Sequence, residues 1–120
     1  VGLADEIRAV ITDMQAAALD SVAEGATIYT DRVKVKAPHR TGAYQNSIAL
    51  EYIDDHTVGC GSPQPYMMRL EYGFCGTDSR GRVYHQTAQA HWRPVLDAEQ
   101  DRIRDVIAAA MRRRLRRGFR

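Results

Sequence analysis

The sequence predicts an α+β domain: a long N-terminal helix, a small antiparallel β-sheet with a hairpin and loops, and a C-terminal helix packed on the sheet. Three observations predict it. Apolar residues recur at three- and four-residue steps through the first third, alternate through part of the middle, and return to helical steps in the last third. With 120 residues and no repeat, low-complexity tract or Gly/Ser linker, residues 1–120 read as one domain.

The first helix is predicted over residues 3–36. Leu3, Ile7, Val10, Ile11, Met14, Ala18, Val22, Tyr29 and Val33 line one face. Asp5 and Glu6 sit in the first turn, where negative charge suits the positive end of the helix dipole. Ala37-Pro38 stops the helix, because the residue before a proline is pushed out of the α region. Gly25 is a candidate break or bend, and Thr27, Ile28, Tyr29 and Thr30 favour strand over helix.

The middle third changes period. Ile48, Leu50 and Tyr52 alternate and share one face of a strand, Asp54-Asp55 turns the chain, and residues 56–61 return as the second strand of a hairpin. Pro63 and Pro65 interrupt any continuation. Residues 66–73 are ambiguous between strand and helix, and a single helical turn ending at Gly73 is the reading taken. A polar loop over 76–82 follows, then a short strand over 82–85.

The second long helix starts at Pro94, whose missing N–H leaves nothing unpaired in a first turn. Leu96, Ile103, Val106, Ile107, Ala110 and Met111 are its expected buried stripe. Asp97, Glu99 and Asp101 crowd its start, arginines crowd its end, and Gly118 ends it. A core of this size is thin, and a neighbour that buried more apolar surface would stabilise it.

Composition narrows the function. Charged residues make up 27% and hydrophobic residues 44%, which excludes collagen-like, disulfide-dense and strongly disordered chains. The longest apolar run, Val106 to Met111, is far short of a membrane span, and no leader pattern is visible near the start. Two cysteines, Cys60 and Cys75, fit a reducing compartment. The formal net charge of +2 hides an asymmetry: six arginines fall within residues 112–120, and upstream of them eleven basic residues face fifteen acidic ones.

Nothing in the pattern asks for an enzyme. Cys60 and Cys75 lie in glycine-flanked turns and match no nucleophile motif. Cys60, Cys75, His85 and His91 have irregular gaps, with no CxxC and no HxxxH for zinc. Asp54-Asp55 reads as a solvated turn, and the glycines at 59, 61, 73, 76 and 81 match neither phosphate-binding fingerprint. No catalytic residue, metal ligand or cofactor is therefore expected.

What stands out is surface. Arg112, Arg113, Arg116 and Arg117 wrap most of a helical turn and suit an acidic protein surface, nucleic acid phosphates, or simply the helix dipole. Tyr44, Tyr52, Tyr66, Tyr72, Phe74, Tyr84 and Trp92 cluster in the central half, mostly as core. Tyr66, Tyr72 and Trp92, with Arg80 and Arg82 of the polar loop, join the four arginines as candidate contacts to a partner.

Three blocks then carry a resemblance. Ala37-Pro38-His39-Arg40-Thr41-Gly42-Ala43-Tyr44 followed by Ser47-Ile48 is similar to A-P-x-x-T-G-x-L/Y-x-x-S-I. Leu70-Glu71-Tyr72-Gly73 is similar to V/L-E-F/Y-G, and Gln89-Ala90-His91-Trp92-Arg93-Pro94-Val95 to Q-P-F/H-L/M-R-P-A. In this order they resemble the small tail-completion and head–tail joining proteins of tailed bacteriophages, also described as minor tail or neck proteins. Ala90 replaces the usual proline, Val95 the usual alanine, and the arginine-rich end is no part of the pattern.

The resemblance implies a structural virion protein, assembled in the host bacterial cytoplasm. It would form a closed ring of about six subunits around the DNA channel. Its partners would be further copies of itself and neighbouring neck, tail-tube or head-completion proteins. Genomic DNA would pass through without sequence-specific binding, and no membrane would be involved. The acidic body is then expected to face the channel, with the arginines directed to a neighbouring ring or the outer rim. The competing reading is a small DNA-binding protein that uses the arginine-rich helix, although no helix-turn-helix, zinc-finger or basic-zipper pattern supports it.

Overall fold

The computed structural model describes residues 2–38, 42–77 and 79–118. His39, Arg40 and Thr41 of the first block, Asp78 of the polar loop, and Phe119 and Arg120 lie outside the described residues. The chain folds as α1 (Leu3–Lys36), α2 (Ala43–Ser47), β1 (Ala49–Asp54), β2 (Thr57–Gly61), α3 (Met67–Tyr72), β3 (Phe74–Thr77), β4 (Val83–Gln86) and α4 (Trp92–Arg117). The α+β class and both long helices are as the sequence predicts.

Helix α1 is continuous through its 34 residues, about 51 Å at 1.5 Å per residue. The strand preference of residues 27–30 is overridden. Thr27 and Thr30 turn their hydroxyls back onto the helix, to the carbonyls of Ala23 and Thr27. Gly25 does not break the helix; it lets α4 approach. A Cβ there would lie 2.5 Å from Ile107 Cγ1 and 3.2 Å from Ile103 Cγ2. α4 runs antiparallel to α1, with Glu99 level with Arg32, Ile107 with Gly25, and Met111 with Ser21.

The strands form two separate two-stranded antiparallel ribbons, where the sequence suggested one sheet. In the first, Leu50 lies opposite Cys60 and Tyr52 opposite Val58, with a bulge before Asp54. Its inward-facing residues lose cover as the ribbon leaves the core: Ile48 is fully buried, Leu50 half-buried and Tyr52 exposed. The Tyr52 hydroxyl reaches Asp20 on α1 at 3.3 Å. In the second ribbon Phe74 lies opposite Gln86 and Thr77 opposite Val83. β3 begins one residue past the end of α3, because Gly73 at φ +80° turns the chain sharply against Gln86 and Ala88.

The core is small and sits at one end. Val33, Ala37, Tyr44, Ile48 and Val95 form it, with Tyr29, Met67, Leu70 and Trp92 packed around them. The molecule measures 69 × 28 × 21 Å, with a radius of gyration of 19.6 Å. A compact domain of this length has about 14 Å. It exposes 8620 Å², whereas a compact monomer of 13.5 kDa exposes about 6,500 Å². No helix is long and apolar enough to cross a membrane among the described residues.

Candidate functional site

The three sequence blocks meet at the core end, around a carboxylate. Glu71 on α3 is buried and accepts the backbone N–H groups of His91 and Trp92 at 2.8 Å each and of Arg93 at 3.2 Å. These are donors that the first turn of a helix leaves without internal partners. Pro94, next in line, has no N–H to satisfy. A carboxylate from α3 thus starts α4 two residues earlier than proline alone suggests. Burial pushes the Glu71 carboxyl up, but the three backbone donors outweigh it and hold the group below its ordinary 4.5.

His91 is fully buried beside Glu71. Its Nδ1 donates to the Gln89 carbonyl at 2.8 Å, which leaves Nε2 to accept from the Tyr44 hydroxyl at 2.5 Å. The Tyr44 oxygen in turn accepts the Trp92 indole N–H at 2.9 Å, and Tyr29 donates to the Trp92 carbonyl at 2.7 Å. Burial pushes the Tyr44 phenol up and the Tyr29 phenol to about 12, so both remain donors. Tyr44 comes from the first block, Glu71 from the second, and His91 and Trp92 from the third. Among the described residues every buried side-chain polar atom has a partner. Tyr44, Glu71 and His91 are buried, Tyr29 and Trp92 partly so, and no buried group among them is left unsatisfied and aimed at a ligand, so the cluster's work is to lock α1, α2, α3 and α4 together.

The proposed contact residues fall into two groups at opposite ends of α4, which is about 39 Å long over its 26 residues. At the core end, Trp92 is turned inward, its ring edge-on to Tyr29 with centroids 5.8 Å apart, and is part of the interior. Tyr66 packs its ring against Tyr44 at 5.8 Å and keeps its outer side exposed. Tyr72, Arg80 and Arg82 are exposed. At the other end Arg113 lies in an internal bridge, donating to both carboxylate oxygens of Glu24 at 2.8 and 2.7 Å. Arg114, which sequence reasoning passed over, joins it on Glu24 and also donates to Ser21. The hydrogen bond from Arg114, with the charge of both arginines, holds the Glu24 carboxyl below its ordinary value. Arg112, Arg116 and Arg117 remain exposed.

Cys75 and His85 face each other across the second ribbon, Sγ to Nδ1 at 3.3 Å, on an exposed surface. Cys60 lies on the other ribbon, where burial pushes its thiol up. Among the described residues no group of three His, Cys, Asp or Glu side chains is placed to hold a metal ion. Sequence reasoning missed the roles of Tyr44, Glu71 and His91. Their only signal was membership of the three blocks. Comparison with family models, curated proteins and solved structures finds no match to the chain.

Proposed function

We propose that the chain is a structural virion protein of a tailed bacteriophage. It completes or caps the tail and joins it to the head as part of a ring of about six subunits around the DNA channel. The observation that carries this reading is that the three blocks on which the resemblance rests, far apart in sequence, interlock through Tyr44, Glu71, His91 and Trp92. They behave as one structural unit, which is what a shared architecture would preserve.

The shape supports the same reading. An elongated subunit with a small core and an excess of exposed surface is suited to burying that surface against neighbours. Exposed side chains at both ends of α4 offer two different patches, as a ring that closes by head-to-tail contact requires. The competing reading, duplex DNA binding by the arginine end, is weakened by local charge. Glu24 occupies Arg113 and Arg114, and Asp13 and Asp20 border the cleft beside Arg114 and Arg117.

The test is the mass of the purified chain by light scattering over a range of salt, with electron microscopy of the same samples. Closed, salt-tolerant rings near six subunits are the expected result on addition of the neck proteins encoded with it. A chain that closes no ring with them, and binds duplex DNA with a steep loss of affinity as salt rises, would replace this reading with the DNA-binding one.

A further inference from the structure

The first three turns of α1 stand clear of the rest of the molecule. Continuing the antiparallel pairing brings the end of α4 to the level of Ala16 and Ala17, where Gly118 shares a shallow cleft with them, Asp13 and Asp20. The turn of the first ribbon, at Asp55 and His56, lies beside Gln15, Ala18, Leu19 and Val22. Residues 3–12 therefore project past both neighbours as an arm about 15 Å long, with Met14 at its root.

This arm is apolar on one side. Leu3, Ile7, Val10 and Met14 follow a four-three-four spacing, with Ile11 at their flank, and the five are between 43% and 72% exposed. At 100° per residue the first four fall in the same sector of about 80° as Ala17, Ser21 and Gly25, the buried face that α4 covers. One track thus runs from Leu3 to Gly25, covered by α4 from Ala17 onward and bare before it.

We propose that a second copy of this chain covers the bare half with its own arm, laid antiparallel. An arm in that orientation runs in the same direction as α4 and begins where α4 ends. Its Asp5 and Glu6, with the positive end of its helix dipole, then meet Arg112, Arg116 and Arg117 at the negative end of α4. The two-fold axis repeats the meeting on the other side. Parallel arms would set two acidic helix starts side by side and leave the arginines far from either. A membrane surface is a poor occupant, because Asp5, Glu6 and Asp13 outnumber Arg8 on the arm. The contact is isologous, unlike the heterologous contact of a ring, and so does not rest on the virion reading.

Sedimentation or light scattering over a wide concentration series tests this with the full chain. The expected mass is twice 13.5 kDa at high concentration, falling to one chain on dilution. Ile7→Glu with Val10→Glu is expected to give one chain throughout, with helical content unchanged, because both side chains are exposed. Arg116→Glu with Arg117→Glu should weaken pairing about tenfold, and Asp5→Arg with Glu6→Arg added to that chain should restore it. A wild-type chain that stays single at every concentration overturns the proposal, as does a dimer indifferent to Ile7→Glu with Val10→Glu. Reversed charges that fail to restore pairing overturn the antiparallel orientation. A ring near six subunits that survives Ile7→Glu with Val10→Glu supports the virion reading and overturns this one.

Discussion

The two halves of α1 carry the same kind of apolar stripe and meet opposite fates. From Ala17 to Gly25 the stripe is buried under α4, and beyond it α1 joins, through Val33, a core fastened by Glu71, His91, Tyr44 and Trp92. From Leu3 to Met14 it carries larger apolar side chains, in place of Ala17, Ser21 and Gly25, and is bare. Periodicity states which face of a helix is apolar; it does not state how far the covering element reaches. α4 ends at Arg117, level with about residue 15 of α1, so the ends of α4 and of the ribbon decide what is core and what is surface. The buried half is specified by directional polar contacts, the exposed half only by pattern and charge.

The largest effect expected from breaking this contrast is at Glu71. Glu71→Ala leaves three N–H groups at the start of α4 without an acceptor in a buried setting, and should cost about 4 kcal/mol in urea unfolding. Glu71→Gln keeps one acceptor oxygen and should cost roughly half as much. The pH dependence follows in sign. A carboxyl held below 4.5 when folded stabilises the protein above that value, and this contribution is lost as pH falls through the folded pKa. Acid unfolding monitored by circular dichroism should therefore be less steep in Glu71→Gln than in wild type.

Gly25 comes next, because it marks the point where the covered half is closest to its cover. Gly25→Val would drive a side chain into Ile107, itself β-branched and confined to one rotamer in a helix, and should cost about 2 kcal/mol despite the better helix former. Loss at this position with retained helical content would show that α4 was displaced and α1 kept. Smaller still is the bridge within the covered half, from Glu24 to Arg113 and Arg114. Glu24 is partly exposed, so Glu24→Gln should cost about 0.5 kcal/mol at low salt and less as salt rises.

Much of the fold was legible because its signals are local. Ala37-Pro38 ends α1, the first ribbon turns at Asp55-His56, one residue later than the expected Asp54-Asp55, Gly73 ends α3 and Gly118 ends α4, each for a conformational reason contained in a few residues. What was not legible depends on partners distant in the chain. Strand-favouring Thr27 to Thr30 stayed helical because α4 packs along that stretch and the threonine hydroxyls found carbonyls within α1. Trp92 looked like a contact residue because a tryptophan beside a proline carries no mark of its hydrogen bond to Tyr44, 48 residues away. Glu71 looked like part of a short motif, since nothing in a lone glutamate announces that it will cap a helix 20 residues on. Arg113 and Arg114 were indistinguishable in sequence from Arg112 and Arg116 until Glu24 was seen beside them.

The smallest expected effect is the sharpest test of the contrast. Ile7→Ser, measured where the chain is a single copy, removes a large apolar side chain from a stripe that reads as core, yet should change unfolding free energy by no more than about 0.5 kcal/mol. Ile48→Ala, at the fully buried end of the core, should cost about 3 kcal/mol in the same assay. The two substitutions delete similar apolar volume, so their difference measures cover rather than composition. If Ile7→Ser were as costly as Ile48→Ala in the single chain, the arm would be packed within its own subunit, and neither the elongated shape nor the pairing of arms would stand. If it is nearly free in the single chain and costly only at concentrations where two copies meet, the stripe on residues 3–14 belongs to the assembly and not to the fold.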